Sequence, residues 1–154
     1  MAQQQHPAIG SWRIMLSPDE SDSENHALIT LMADGSLVSS PPSVEQFPLS
    51  ADGVIFVSSG HGAWTATGAD RVELGFIAQA TSSQGDLLGF GSVHATGQEH
   101  ADGTGFSGRY HFEIAGPDGI VFATEDGDVR GMRISAANPE TARYLPRPVA
   151  ASAR

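Results

Sequence analysis

Gly105-Phe106-Ser107-Gly108-Arg109-Tyr110-His111-Phe112-Glu113-Ile114-Ala115 is the stretch on which the fold of this chain turns. Phe106, Gly108, Tyr110, Phe112 and Ile114 fall on one parity; Ser107, Arg109, His111 and Glu113 fall on the other. Successive side chains of a strand point to opposite faces, so this alternation describes a strand with one buried and one wet face. Ala101-Asp102-Gly103 precedes it and Pro117-Asp118-Gly119 follows it. The same punctuation recurs at Ala33-Asp34-Gly35, Gly68-Ala69-Asp70 and Gln84-Gly85-Asp86. Gly and Asp accept the backbone of tight turns, so apolar runs between such signals read as hairpins. Working outward, strands are predicted over about 10–16, 26–32, 36–40, 61–67, 71–80, 87–98, 105–115 and 120–134. Residues 54–57 are either a short further strand or the end of the loop before it. With no long helical pattern between them, roughly eight strands in one meander predict an all-β fold. The expected architecture is a single eight-stranded antiparallel up-and-down barrel, a size that can just enclose one small ligand.

The chain has 154 residues, enough for one domain with a real core. The expected organisation is a flexible leader over 1–9, the barrel over 10–134, and a mostly flexible tail over 135–154. Within the tail, Asn138 and Pro139 read as the cap and first position of a helical turn. Between the third and fourth main strands, 41–53 is the longest irregular segment, with Phe47 and Leu49 as apolar anchors of an expected lid.

Composition excludes several kinds of chemistry. The net charge is −10, which argues against nucleic acid and anionic membranes as partners. All eight basic residues are Arg, so Schiff-base chemistry, an internal pyridoxal-phosphate linkage and a P-loop lysine are ruled out. Cysteine is absent, which removes disulfides, thiolate nucleophiles and Cys-ligated metal sites. No apolar run approaches a membrane span, and the start lacks the basic and apolar regions of a secretory signal. A cytoplasmic location is the expectation that follows.

Parity then sorts the candidate residues. Val72, Leu74, Phe76 and Ala78 face one way in the fifth strand. The sixth strand, 87–98, admits two readings. If Leu88, Phe90 and His94 face inward, His94 is a polar group in an apolar cavity, able to orient a substrate or exchange a proton. If Leu87, Gly89, Gly91, Val93 and Ala95 face inward, His94 is solvated. His61 and Trp64 stand three apart, hence on opposite faces, and Trp64 is the one expected inside. His111 lies opposite the aromatics and reads as surface. Tyr110 faces with Phe106 and Phe112, where its hydroxyl needs a partner. Glu125, Asp126 and Asp128 surround Gly127, a glycine that suggests a bend; the paired carboxylates could do acid–base work, but the favoured reading is a wet turn of the strand. No His or carboxylate spacing matches a metal site, so no metal is expected.

Gly10-Ser11-Trp12 at the start of the first strand resembles the G-x-W signature of lipocalins and other calycins. His61-Gly62-Ala63-Trp64 and the hairpin around Asp102-Gly103 add a resemblance to small bacterial lipocalin-like proteins. The resemblance spans about residues 9–134. It implies that Trp12 closes one end of the barrel under an arginine of the last strand, Arg130 or Arg133. It also implies kinship with cofactor-independent cyclases of natural-product pathways built on such barrels. The cysteine pair and secretion signal of secreted lipocalins are missing.

The resulting expectation is a cofactor-independent cyclase or isomerase, pericyclase-like, that folds an apolar, polyketide-type small molecule inside the barrel. Trp64, Leu74, Phe76, Phe90 and Phe112 are the expected substrate-binding residues. Tyr110 and His94 are the expected catalytic ones, hydrogen-bonding a substrate carbonyl. The alternative is a non-catalytic carrier with the same cavity. The expected partner is an apolar ligand or substrate, with nucleic acid and membrane set aside and a homodimer left open.

Overall fold

The computed structural model describes residues 6–42, 44–46, 53–137 and 139. Its strands, in chain order, are β1 (Gly10–Pro18), β2 (Asn25–Leu31), β3 (Ser36–Ser40), β4 (Val44–Gln46), β5 (Val54–Val57), β6 (Gly60–Ala66), β7 (Arg71–Thr81), β8 (Leu87–Glu99), β9 (Gly105–Ala115) and β10 (Val121–Arg133). Eight of them close a ring, β1-β2-β3-β6-β7-β8-β9-β10, with every neighbouring pair antiparallel and β10 returning to β1. The fold is therefore the all-β, eight-stranded, up-and-down barrel that the hairpin pattern predicts. Phe47, Leu49 and Asn138 lie outside the described residues.

The turns explain why the meander is so regular. The amides of Gly35, Gly85, Gly103 and Gly119 each donate to the carbonyl three residues back, on Met32, Ser82, His100 and Gly116. All four glycines have positive φ. A type I turn closed by a left-handed glycine is a common three-residue hairpin connection. In three of the turns an aspartate fixes the exit, Asp34, Asp102 and Asp118 each accepting from the backbone amide two residues on.

Residues 54–57 do form a strand, and β5 and β6 behave as one bulged strand against β7. Val57 pairs with Ala80 and His61 with Ile77, so the register slips by one residue across Ser58-Ser59. Ser58 fills the gap, its amide donating to Gln79 O and its Oγ accepting from Gln79 N, both at 2.9 Å. β4 pairs with β5 alone and so lies outside the ring.

β8 resolves the open parity in favour of its small residues. Gly89, Val93, Ala95 and Glu99 are buried, whereas His94 is exposed. Phe90 and His94, expected on the inner face, are on the outer one. The cause is bulk on the neighbouring strands. A Cβ on Gly91 would stand 2.9 Å from the Phe112 ring and one on Gly97 3.3 Å from the Phe106 ring. β8 thus supplies hollows for the aromatics of β9, and Phe90 and His94 point outward; beyond the register shift next to Gly89, Leu87 is exposed and Leu88 lines the cavity.

β10 also differs from expectation. It runs through Gly127 with unbroken register, and the irregularity falls between Val121 and Ala123. Gly127 serves close approach instead of a bend: a Cβ there would meet Ser17 O at 2.3 Å and Tyr110 Cε1 at 2.6 Å. Parity therefore carries from Val129 through Gly127 to Glu125, which turns Glu125 inward and Asp126 outward.

One end of the barrel is sealed. Trp12 is buried under the Arg133 guanidinium, whose carbon stands 4.1 Å from the ring centroid, and its edge contacts Phe106 at 5.3 Å. Of the two arginines considered, Arg133 is the one that stacks. Residues 6–9, expected as part of a flexible leader, pack across this end. Trp12 Nε1 donates to Ala8 O at 2.9 Å. The His6 ring is buried, accepting from Ala8 N at Nδ1, so Nε2 carries the proton that it shares with Gly68 O at 3.0 Å.

Candidate functional site

The other end opens into a cavity of about 270 Å³, near the lower edge of ordinary small-molecule pockets, ~300 Å³. Its walls are mainly apolar, with Leu16, Ile55, Ala78, Val93, Phe112 and Ile114 among them. Below it, Ile14, Leu16, Phe76 and Val93 form a floor shared with a closed-end void of only about 30 Å³. A chamber that small admits a water or two, not a ligand.

Asn25, His26 and Gln79 stand exposed at the rim, and two further polar features interrupt the apolar wall. On the β9–β10 side, Tyr110 donates its hydroxyl hydrogen to Glu125 Oε1 at 2.6 Å. Burial first, then the Glu125 carboxylate, hold the Tyr110 phenol well above its ordinary pKa, so it stays protonated and stays a donor to Glu125. On the β3 side, Ser39 is fully buried and its Oγ has no partner among the described residues. β3 and β9 stand four places apart in the ring of eight, so these features face each other across the barrel.

The expected site residues are distributed as follows. Tyr110, Phe76 and Phe112 line the cavity. Leu74 lines only the small closed-end void. Trp64 is buried, as its parity implied, but it sits at the sealed end: its indole donates to Met32 O at 2.8 Å and tilts against His6 at 5.7 Å. It lines neither space and has no face to offer a ligand in the cavity. Phe90 is not in the cavity wall, and His94 bonds Glu73 on the outer surface at 2.7 Å. The role imagined for Tyr110 changes too. Its single hydrogen belongs to Glu125, so it has none for a substrate carbonyl.

Glu125, read from sequence as part of a wet bend in preference to an acid–base group, is in the cavity wall. Its signal was present in the parity of β10, Glu125-Gly127-Val129, and was hidden by taking Gly127 as a bend.

Outside the barrel, Arg109 pairs with Asp19 and with Asp128, the latter at 2.9 Å. His111 is held by Asp126 at 2.8 Å and Glu113 at 3.3 Å. Hydrogen bonds to these carboxylates raise the His111 pKa above its ordinary value. A raised folded-state pKa contributes stability that is fully present below about pH 6.5 and is lost as pH rises through the folded value. His111→Gln is therefore expected to lower the melting temperature more at pH 6 than at pH 8.5. An equal decrement at both pH values would refute the assignment. Among the described residues, no group of three or more His, Asp or Glu is arranged to hold a metal ion. No helix among them is long and apolar enough to cross a membrane.

No protein-family model, curated protein or solved structure matches the chain. The molecule is a closed eight-stranded antiparallel barrel, compatible with a lipocalin-like one, with one sealed and one open end.

Proposed function

We propose that the barrel encloses one small, largely apolar molecule and reshapes it as a cofactor-independent cyclase or isomerase. The observation that carries this reading is the Tyr110–Glu125 pair set in a mainly apolar cavity. The apolar wall desolvates a polyene-like chain, and Phe76 and Phe112 restrict the shapes it can take. Holding reacting carbons in a near-attack geometry removes several kcal/mol of barrier as prepaid entropy. Glu125, oriented by Tyr110, is placed to take a proton from one carbon of the ligand and return it at another. That step is an isomerisation needing no external oxidant or reductant.

A carrier with the same cavity is the second reading. It is favoured by the commitment of the Tyr110 proton to Glu125, which leaves no donor there to activate a carbonyl. Cyclisation and isomerisation both leave mass unchanged. With polyene ketones as trial substrates, turnover is a new chromatographic species of unaltered mass that Glu125→Gln fails to produce. Recovery of every bound compound unaltered supports the carrier.

Enclosure itself has a simpler test. N-phenyl-1-naphthylamine, an apolar dye that brightens out of water, is expected to bind with one site per chain. Ala78 is buried on the cavity wall, so Ala78→Trp puts an indole where the dye would sit. It is expected to weaken dye binding by about 100-fold or more while leaving the fold intact, since the added bulk enters empty space. Undiminished dye binding in Ala78→Trp would place the dye elsewhere and remove the support for enclosure.

A further inference from the structure

We infer that the enclosed molecule carries a protonated amine, which docks on Glu125. This rests on the reading of the barrel as a small-molecule site and adds the chemistry of the head group; with the amine paired to it, Glu125 anchors the ligand and the cavity acts by confinement, not by proton transfer.

The argument is one of donors and acceptors. Tyr110 gives its only hydrogen to Glu125, so what the pair offers a ligand is lone pairs: those left on the phenol oxygen, and Glu125 Oε2. A carboxylate or a bare carbonyl meets only acceptors there. A group rich in N–H meets partners. Among the described residues Glu125 is the one carboxylate in the cavity wall and no arginine shares it; the one basic side chain there, His26, stands at the rim 4.0 Å from Glu24. Arg109, the guanidinium on the adjoining strand, is turned to the outer face and held by Asp19 and Asp128. An ionised group beside apolar walls is costly without a counter-charge, and a ligand cation supplies it.

The mouth points the same way. Its loops carry Glu20, Asp22, Glu24, Asp86 and Asp118, besides Asp19, whose charge Arg109 offsets. The loops over 19–24, 82–86 and 116–120 contain no basic residue. Clefts lined with one sign of charge concentrate ligands of the other.

Ser39 gives a second, independent point. A fully buried hydroxyl with no partner is costly unless something occupies the cavity beside it. Because β3 faces β9, a molecule with its amine on Glu125 directs its far end toward Ser39. A polar atom at that end satisfies the orphaned hydroxyl.

The test is displacement of N-phenyl-1-naphthylamine from the full chain by n-octylamine, n-octanol and n-octanoate, which share a tail and differ in head group. The amine is expected to bind about 10–100-fold more tightly than the carboxylate, the size of one charge-assisted hydrogen bond. The alcohol should fall between them. Glu125→Gln, nearly isosteric, should bring the amine to within about threefold of the alcohol and leave the alcohol unchanged. Unchanged displacement by octanol, together with a urea midpoint at the wild-type value, guards against a folding defect in Glu125→Gln. An α,ω-amino alcohol should gain over the plain amine in the wild type and lose that gain in Ser39→Ala. Binding of all three head groups with equal affinity, or an amine preference that survives Glu125→Gln, overturns the head-group inference and leaves enclosure standing. Failure of the dye itself to bind overturns both.

Discussion

Arg133→Met is expected to destabilise the barrel by about 3–5 kcal/mol, the cost of stranding a buried charge. The guanidinium holds the sealed end from several directions. It stacks over Trp12 at 4.1 Å, donates to Ile9 O at 3.0 Å, Gly103 O at 3.1 Å and Pro7 O, and pairs with Glu99 Oε1 at 3.0 Å. The Glu99 side chain is only 6% exposed, and its other oxygen already lacks a partner. Methionine keeps much of the apolar stem but leaves both carboxylate oxygens unpaired in a nearly dry wall. The remedy follows from the cause. Arg133→Met combined with Glu99→Met removes the stranded charge and is expected to recover most of the loss, a coupling that urea denaturation of the four-protein cycle measures. A double variant no more stable than Arg133→Met would mean that the carbonyl bonds and the stack, not the buried pair, carry the end.

Gly127→Val is expected to cost about 3 kcal/mol, the upper part of the range for overpacking a strand. Its Cβ would lie 2.3 Å from Ser17 O and 2.9 Å from Pro18 Cα, which are backbone atoms of the paired strand and cannot rotate away. It would also lie 2.6 Å from the Tyr110 ring. The second contact makes the effect more than structural, because displacing that ring breaks its bond to Glu125. Reduced binding of octylamine should therefore accompany the loss of stability. Gly75→Ala is the control. A Cβ on Gly75 meets only Val93 O, at 3.6 Å, an ordinary contact, and the change should stay within about 0.5 kcal/mol. Urea midpoints that fall equally in both would show that glycine content, not the crowding at Gly127, matters.

The barrel was readable because its signals are local. Each D-G turn closes on itself through a bond spanning three residues, and period-two alternation depends on a single strand. The plug of Trp12 by an arginine of the last strand was anticipated through resemblance, with only the choice of Arg133 over Arg130 left to geometry. What parity within one strand cannot supply is its match to neighbours. β8 carries large residues on one parity and small ones on the other, and alone it gives no reason to hide the small ones. The reason sits on β9, whose Phe106 and Phe112 need the hollows at Gly97 and Gly91. For the same reason His94 and Phe90 went to the surface. Gly127 misled in a related way, since a strand glycine marks a bend and a close approach equally well in sequence. Only the Tyr110 ring beside it decides between them, and with that decision Glu125 enters the cavity.

The ring is closed by its first and last strands, β1 against β10, with Trp12 opposite Arg133. A chain emerging from the ribosome must complete nearly the whole domain before the seam can form. Until then β1 has a single partner, β2, and an open edge of unpaired amides and carbonyls. Contacts so distant in sequence fold slowly, and exposed edges invite pairing between molecules. The arginine that caps the tryptophan is thus also a latch set late: burial of Trp12 reports that the barrel has shut, and its fluorescence times that event during refolding.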